Sequence, residues 1–227
     1  MRLAALLLAA TALAGAQPVK VLIVTGGHEH EPSFYSLFDG ARFDAVVEPH
    51  PGAFTGDFRN RADVLALYDM LPDLGDERKR DNLRAFVEAG KGVVVLHHAI
   101  GDNNTWRWWY QDVVGGRYLF QPEGGKPAST FKHDETIRVK VVKQHPVTAG
   151  LSDFTVEDET YKGMWISPNA EVLLTTDNPT SDGPVAWLGL NPKARVVYIQ
   201  LGHGSPAYRN PNYRRLVHNA IVWAAGK

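Results

Sequence analysis

The sequence predicts an α/β fold: a doubly wound, mostly parallel sheet flanked by helices, with antiparallel additions in its second half. Three observations carry this. Apolar β-branched runs at residues 19–24, 92–96 and 195–201 each break off at glycine or histidine, and continuous runs of that length mark strands buried on both faces. Residues 76–89 place Leu83, Phe86 and Val87 at helical spacing directly before the second run, the strand–helix–strand rhythm of right-handed βαβ units. Residues 136–142 alternate Ile137, Val139 and Val141 with polar residues, as a half-exposed antiparallel strand does.

The elements follow in order. After the first strand, residues 31–40 predict a short helix opening at Pro32, a favoured first-turn residue. Strands are expected at 43–48 and 60–69, a helix over 76–89 stopped by Gly90, and a strand at 92–96. The middle is less regular: Trp106, Trp108 and Trp109 follow the 92–96 strand, then Gly115-Gly116 and a Pro/Gly loop at 121–129. Further strands are expected at 136–142, 154–161, 171–176 and 184–190. A closing helix at 212–225 carries Tyr213, Leu216, Val217, Ala220 and Ile221 on one wide apolar face.

Residues 1–16 predict a cleaved export signal. Arg2 precedes an apolar stretch too short to span a bilayer comfortably, and Ala14 and Ala16 offer the small side chains a signal peptidase needs. Residues 17–227 then form one domain, with a periplasmic or extracellular location expected. The chain has no cysteine, which excludes thiol catalysis, Cys-type zinc binding and disulfides. Its 24 basic residues face 25 acidic ones, so no net charge draws it to nucleic acid or, once the leader is removed, to a membrane.

There is no phosphate-binding loop, no G-x-G-x-x-G after the first strand and no G-x-S-x-G elbow. Where an elbow nucleophile would stand, straight after a central strand, the chain has His97-His98. His28, His30, His97, His98 and His203 all follow predicted strands, and in such sheets ligands bind outside the carboxyl ends of the strands. Extended geometry would turn His97 and His98 to opposite sides, leaving one of them facing a ligand. Alternation over 154–161 turns Glu157, Glu159 and Tyr161 to one side. His145, before proline, reads as a turn or capping residue, and His50, His133 and His218 read as surface.

The ordered set of segments resembles the trehalose-utilisation (ThuA-like) family. It comprises Gly26-Gly27-His28-Glu29-His30, Leu96-His97-His98-Ala99, His145-Pro146 through Leu151, Asp158-Glu159-Thr160-Tyr161, Pro184-Val185-Ala186-Trp187, and Arg195 through Leu201-Gly202-His203. The resemblance implies a class I glutamine-amidotransferase-like fold and an enzyme of carbohydrate metabolism. Such an enzyme would act on a disaccharide or 3-keto glycoside, functionally linked to a sugar oxidoreductase. Without cysteine it is not a thiol amidotransferase. His98, His203 and Glu159 are the expected acid–base residues, with His28, His30, His97, Tyr161, Trp187 and Trp106 contacting substrate. A divalent metal, if used, would draw ligands from His28, His30, His97, His98, His203 and Glu159. The alternatives are a non-catalytic carbohydrate-binding or assembly module, and a metal-dependent hydrolase of another substrate class.

Overall fold

The computed structural model describes residues 17–227; the expected leader at 1–16 lies outside these residues. In chain order the elements are β1 (Val19–Gly26), β2 (Phe43–Pro49), β3 (Val64–Asp69), α1 (Glu77–Glu88), β4 (Gly92–Leu96), β5 (Gly116–Arg117), β6 (Thr130–Val141), β7 (Phe154–Lys162), β8 (Trp165–Ile166), β9 (Glu171–Thr176), β10 (Pro184–Leu188), β11 (Val196–Ile199), α2 (Ser205–Arg209) and α3 (Pro211–Ala224). The main sheet runs β2-β1-β3-β4-β11-β10-β9-β6-β7, and β5 pairs with β8 apart from it. The five strands from β2 to β11 are mutually parallel, and β10, β9, β6 and β7 continue the sheet antiparallel. This is the predicted α/β architecture.

Strand period explains the two cores. Val19, Val21 and Ile23 face the layer that holds α3, while Leu22 and Val24 face the layer that holds α1. Leu216, Val217, Ala220 and Ile221 of α3 close the first layer. Leu83, Phe86 and Val87 of α1 join Trp109 in the second. Each fully buried aliphatic side chain contributes roughly 1.5–3 kcal/mol, so both faces of the parallel strands stabilise the fold. Among the described residues no helix is long and apolar enough to cross a membrane.

Several boundaries differ from expectation. Residues 31–40 form only a 3-10 turn, Pro32–Phe38, because Phe34, Leu37 and Phe38 are pulled into the core. The third strand begins at Val64 rather than at residue 60, since a turn at 59–61 leads into it. β6 begins six residues earlier than the alternation suggests. Its first part pairs with β7 through a bulge between Lys132 and Glu135, where Asp134 takes a φ of 55°. The bulge resets the inside–outside parity, so the apolar alternation appears only after it.

Candidate active site

The parallel strands end on one edge, and the histidines gather there. β4 stops at Leu96, and the chain turns sharply at His97, whose φ is 52°. That left-handed conformation costs a non-glycine residue about 1–3 kcal/mol, and it is held by what His97 touches. Its Nδ1 lies 2.7 Å from the Gln200 carbonyl. A carbonyl only accepts, so Nδ1 carries the proton and, in the neutral ring, Nε2 presents a bare lone pair. That Nε2 lies 3.0 Å from Glu159 Oε2, 3.2 Å from His203 Nδ1 and 3.1 Å from the Tyr161 hydroxyl. His203 Nδ1 lies 3.4 Å from the same Glu159 oxygen.

The turn defeats the strand-parity expectation. Extended geometry would have sent one of His97 and His98 away from the site, yet both reach it. His98 stacks on His28 with ring centroids 4.5 Å apart and packs against Tyr68. Among the described residues neither His98 ring nitrogen has a hydrogen-bond partner.

His203 is positioned by its neighbours. Gly202 has a φ of 119°, and a Cβ there would stand 2.1 Å from the Tyr213 hydroxyl, so only glycine lets the loop pass. Asp158 then takes the loop by its backbone. Its Oδ2 accepts from the Gly202 N–H at 2.7 Å and its Oδ1 from the His203 N–H at 2.9 Å. Successive β7 residues thus act on opposite sides: Asp158 grips the loop, and Glu159 and Tyr161 face the histidines. Just past β1, a Cβ at Gly27 would lie 2.2 Å from the Met70 carbonyl. This close approach brings His28 over the cleft.

Above the cluster opens a cavity of about 230 Å³, lined by His28, Met70, His98, Ile100, Gly101, Tyr118, Phe120, Phe131, His133, Glu159 and Tyr161. Phe120 and Phe131 are unusually exposed for large apolar residues, at 44% and 58%. His133 places Nδ1 3.3 Å from Glu159 Oε1, and its ring tilts on that of His203 at 4.6 Å.

Charges are strongly shaped by this packing. Burial works to raise the Glu159 carboxyl, but hydrogen bonds from His203 and His97 outweigh it and hold it well below the usual carboxylate range. His203 is raised, chiefly by its hydrogen bond to Glu159. His98 is pushed down to about 2, first by burial and then by His97 and His28, so its ring stays neutral. Burial raises Asp158 and Tyr161.

The structure therefore brings His28, His97, His98, His203, Glu159 and Tyr161 together. Three expected contacts lie elsewhere. His30 bonds the Tyr35 hydroxyl at 3.0 Å and packs edge-on against Phe34 and Tyr68. Trp187 is wholly buried, its Nε1 donating to the Val114 carbonyl at 3.0 Å. Trp106 packs on Trp108 under Arg80 and Arg84. Neither tryptophan borders the cleft. Of the histidines read as surface, His50 bonds buried Asp69 at 3.0 Å and His218 bonds the Leu37 carbonyl at 2.6 Å. His133 lines the cavity. Sequence reasoning missed His133, Tyr118, Phe120 and Phe131; their only sequence signal was aromatic residues bracketing a Pro/Gly loop. His145 accepts from the Val147 N–H and caps the turn Pro146–Thr148.

The family description "Trehalose utilisation", ThuA, matches residues 20–224. The chain belongs to the ThuA family. A ThuA-like protein from Parabacteroides merdae ATCC 43184 shares 22% identity, with 92% of this chain and 91% of that one covered and a TM-score of 0.79. The cytoplasmic protein STM3548 from Salmonella typhimurium shares 14%, covering 91% and 99%, with a TM-score of 0.67. PurLQS from Thermotoga maritima shares 12%, covering 91% and 99%, with a TM-score of 0.62. At these identities the likeness establishes the fold alone, the glutamine-amidotransferase-like α/β fold. No curated protein matches. In this ThuA-family chain the residue at the turn after β4 is His97, and the family association is with carbohydrate utilisation.

Proposed function

We propose that the chain is a carbohydrate-processing enzyme that cleaves a 3-keto glycoside in the His–Glu cleft. The observation that carries this is the convergence of His97, Glu159, His203 and Tyr161 at the inner end of a cavity walled by aromatic rings. Aromatic faces suit pyranose rings, and the polar end suits a developing oxyanion. The family's association with trehalose use supports a disaccharide.

The chemistry is an elimination. A ketone at C3 acidifies the C2 proton, and an imidazole removes it. The C–H electron pair moves to form the C2–C3 enolate, whose oxygen rests at the polar end. The enolate then reforms the ketone, C1=C2 forms, and the glycosidic C1–O bond breaks as its oxygen takes a proton from a second imidazole. His28 and His133 flank the cavity with access to solvent and are the rings free to move protons. This shifts the acid–base role from His98, which is buried and packed between rings, and leaves His203, held protonated beside Glu159, and the Tyr161 hydroxyl to donate to the oxyanion.

The test is incubation with 3-keto disaccharides and with the same sugars unoxidised. The expected product from the keto sugar alone is an enone, read by its ultraviolet absorbance. Binding of either sugar without any product would favour the non-catalytic binding module instead.

A further inference from the structure

We infer that His97 Nε2, His203 Nδ1 and Glu159 Oε2 are the three protein ligands of one divalent transition-metal ion, with its remaining positions open to the cavity. The inference deepens the reading of this cleft; it rests on that reading for the use of the ion and not for its binding.

The first argument is the triangle itself. Its edges are 3.0, 3.2 and 3.4 Å. Donors at about 2.0–2.1 Å from a zinc-sized ion stand about 3.3–3.4 Å apart in a tetrahedron and about 2.9 Å apart in an octahedron. The three donor atoms therefore already occupy one face of such a polyhedron. Two imidazoles and one carboxylate form a donor set that suits zinc, iron or manganese.

The second argument is valence. The His97 proton is committed to the Gln200 carbonyl, so its Nε2 lone pair points at a carboxylate oxygen. Two acceptors 3.0 Å apart repel unless a proton or a metal cation lies between them, and a metal at that point also meets His203 Nδ1. Tyr161 has one hydroxyl proton, which can serve one of them.

The third argument is the surround. Metal-binding histidines are oriented by a second partner on the other ring nitrogen, and metal-binding carboxylates are themselves hydrogen-bonded. Gln200 does the first for His97, and His133 approaches the free oxygen of Glu159 at 3.3 Å. Asp158 fixes the His203 backbone. On the open side lies the cavity, where the ketone and a neighbouring hydroxyl of a keto sugar could complete the coordination. The ion would then polarise the C3 carbonyl.

The experiment uses the mature chain stripped by a chelator, titrated with zinc chloride against a chromophoric zinc indicator. One ion per chain is expected, bound on the order of 100-fold or more tightly than by His203→Ala or Glu159→Gln. His133→Ala, which removes only the outer partner of Glu159, should weaken binding by about 10-fold, less than either ligand variant. Circular dichroism of the metal-free variants confirms folding. Should both ligand variants misfold, spin-echo spectroscopy of Cu²⁺-loaded wild type decides, with two coordinated imidazole nitrogens expected. No stoichiometric zinc, unweakened binding in folded ligand variants, or fewer than two nitrogens means that the triangle shares a proton only, and overturns the site. Zinc bound without turnover of any keto sugar would leave the site standing and defeat the substrate reading. Full turnover by metal-free protein, unchanged by zinc, would do the reverse for the ion's role.

Discussion

Asp158 and His203 are joined through the backbone: Asp158 Oδ1 accepts the His203 N–H at 2.9 Å while Oδ2 accepts that of Gly202 at 2.7 Å. The same Oδ1 also accepts the Glu159 N–H at 2.9 Å. One buried carboxylate thus fixes two of the three residues at the polar end of the cleft. Asp158→Asn replaces one of these acceptor oxygens with a donor facing a donor. It should cost about 1–3 kcal/mol of stability and lower kcat as His203 drifts, both read by urea unfolding and steady-state assay. A variant with wild-type stability and rate would show that the clasp is dispensable.

Phe131 is exposed and lies at the cavity wall. Phe131→Ala should leave stability within about 0.5 kcal/mol yet raise KM for the sugar roughly 2–10-fold, as loss of a stacking face would. Equal KM values would remove Phe131 from the sugar platform.

Trp187 provides the opposite control. It is fully buried and bonded to Val114, so Trp187→Phe should lower stability by about 1–3 kcal/mol through the orphaned carbonyl and lost packing. Sugar affinity of the folded fraction should not change. A selective loss of affinity at intact stability would return Trp187 to the binding surface.

Asp102 is wholly buried, and burial followed by the nearby Asp69 raises its carboxyl well above 3.8. Among the described residues Asp69 Oδ1 lacks a partner, and Oδ2 accepts from His50, so a protonated Asp102 suits the pair. The folded state binds this proton more tightly than the unfolded state. Asp102 therefore contributes stability fully below its unfolded pKa and loses it as pH rises through the folded value. Asp102→Asn, neutral throughout, should gain in melting temperature relative to wild type as pH rises above about 4, the unfolded carboxyl's range. A difference that does not grow with pH would contradict the shift.

We propose that residues 1–16 act as a cleaved export signal. With Ala14 and Ala16 as the small residues before the cut, N-terminal sequencing of protein recovered from the native host's exported fraction should begin at Gln17. Full-length protein in the cytosol would refute it.

The amino-acid sequence by itself determined the layered frame and one privileged point within it. Apolar runs ended by glycine are local signals, and they marked β1, β4 and β11 as well as the turn at His97-His98 where an elbow nucleophile would stand. Helical spacing marked α1 and α3 for the same reason. Tertiary structure decided what local periodicity cannot express. The left-handed turn at His97 cancelled strand parity and sent both imidazoles to the site. The bulge at Asp134 delivered Phe131 and His133 to the cavity wall from a stretch with no apolar alternation. Trp106 and Trp187 had the composition of sugar contacts, but packing claimed them, because a large ring buries more apolar surface in the core than at a cleft. The His97–Glu159–His203 triangle joins strands β4, β7 and β11 across more than a hundred residues of chain, and only the sheet order brings those ends together.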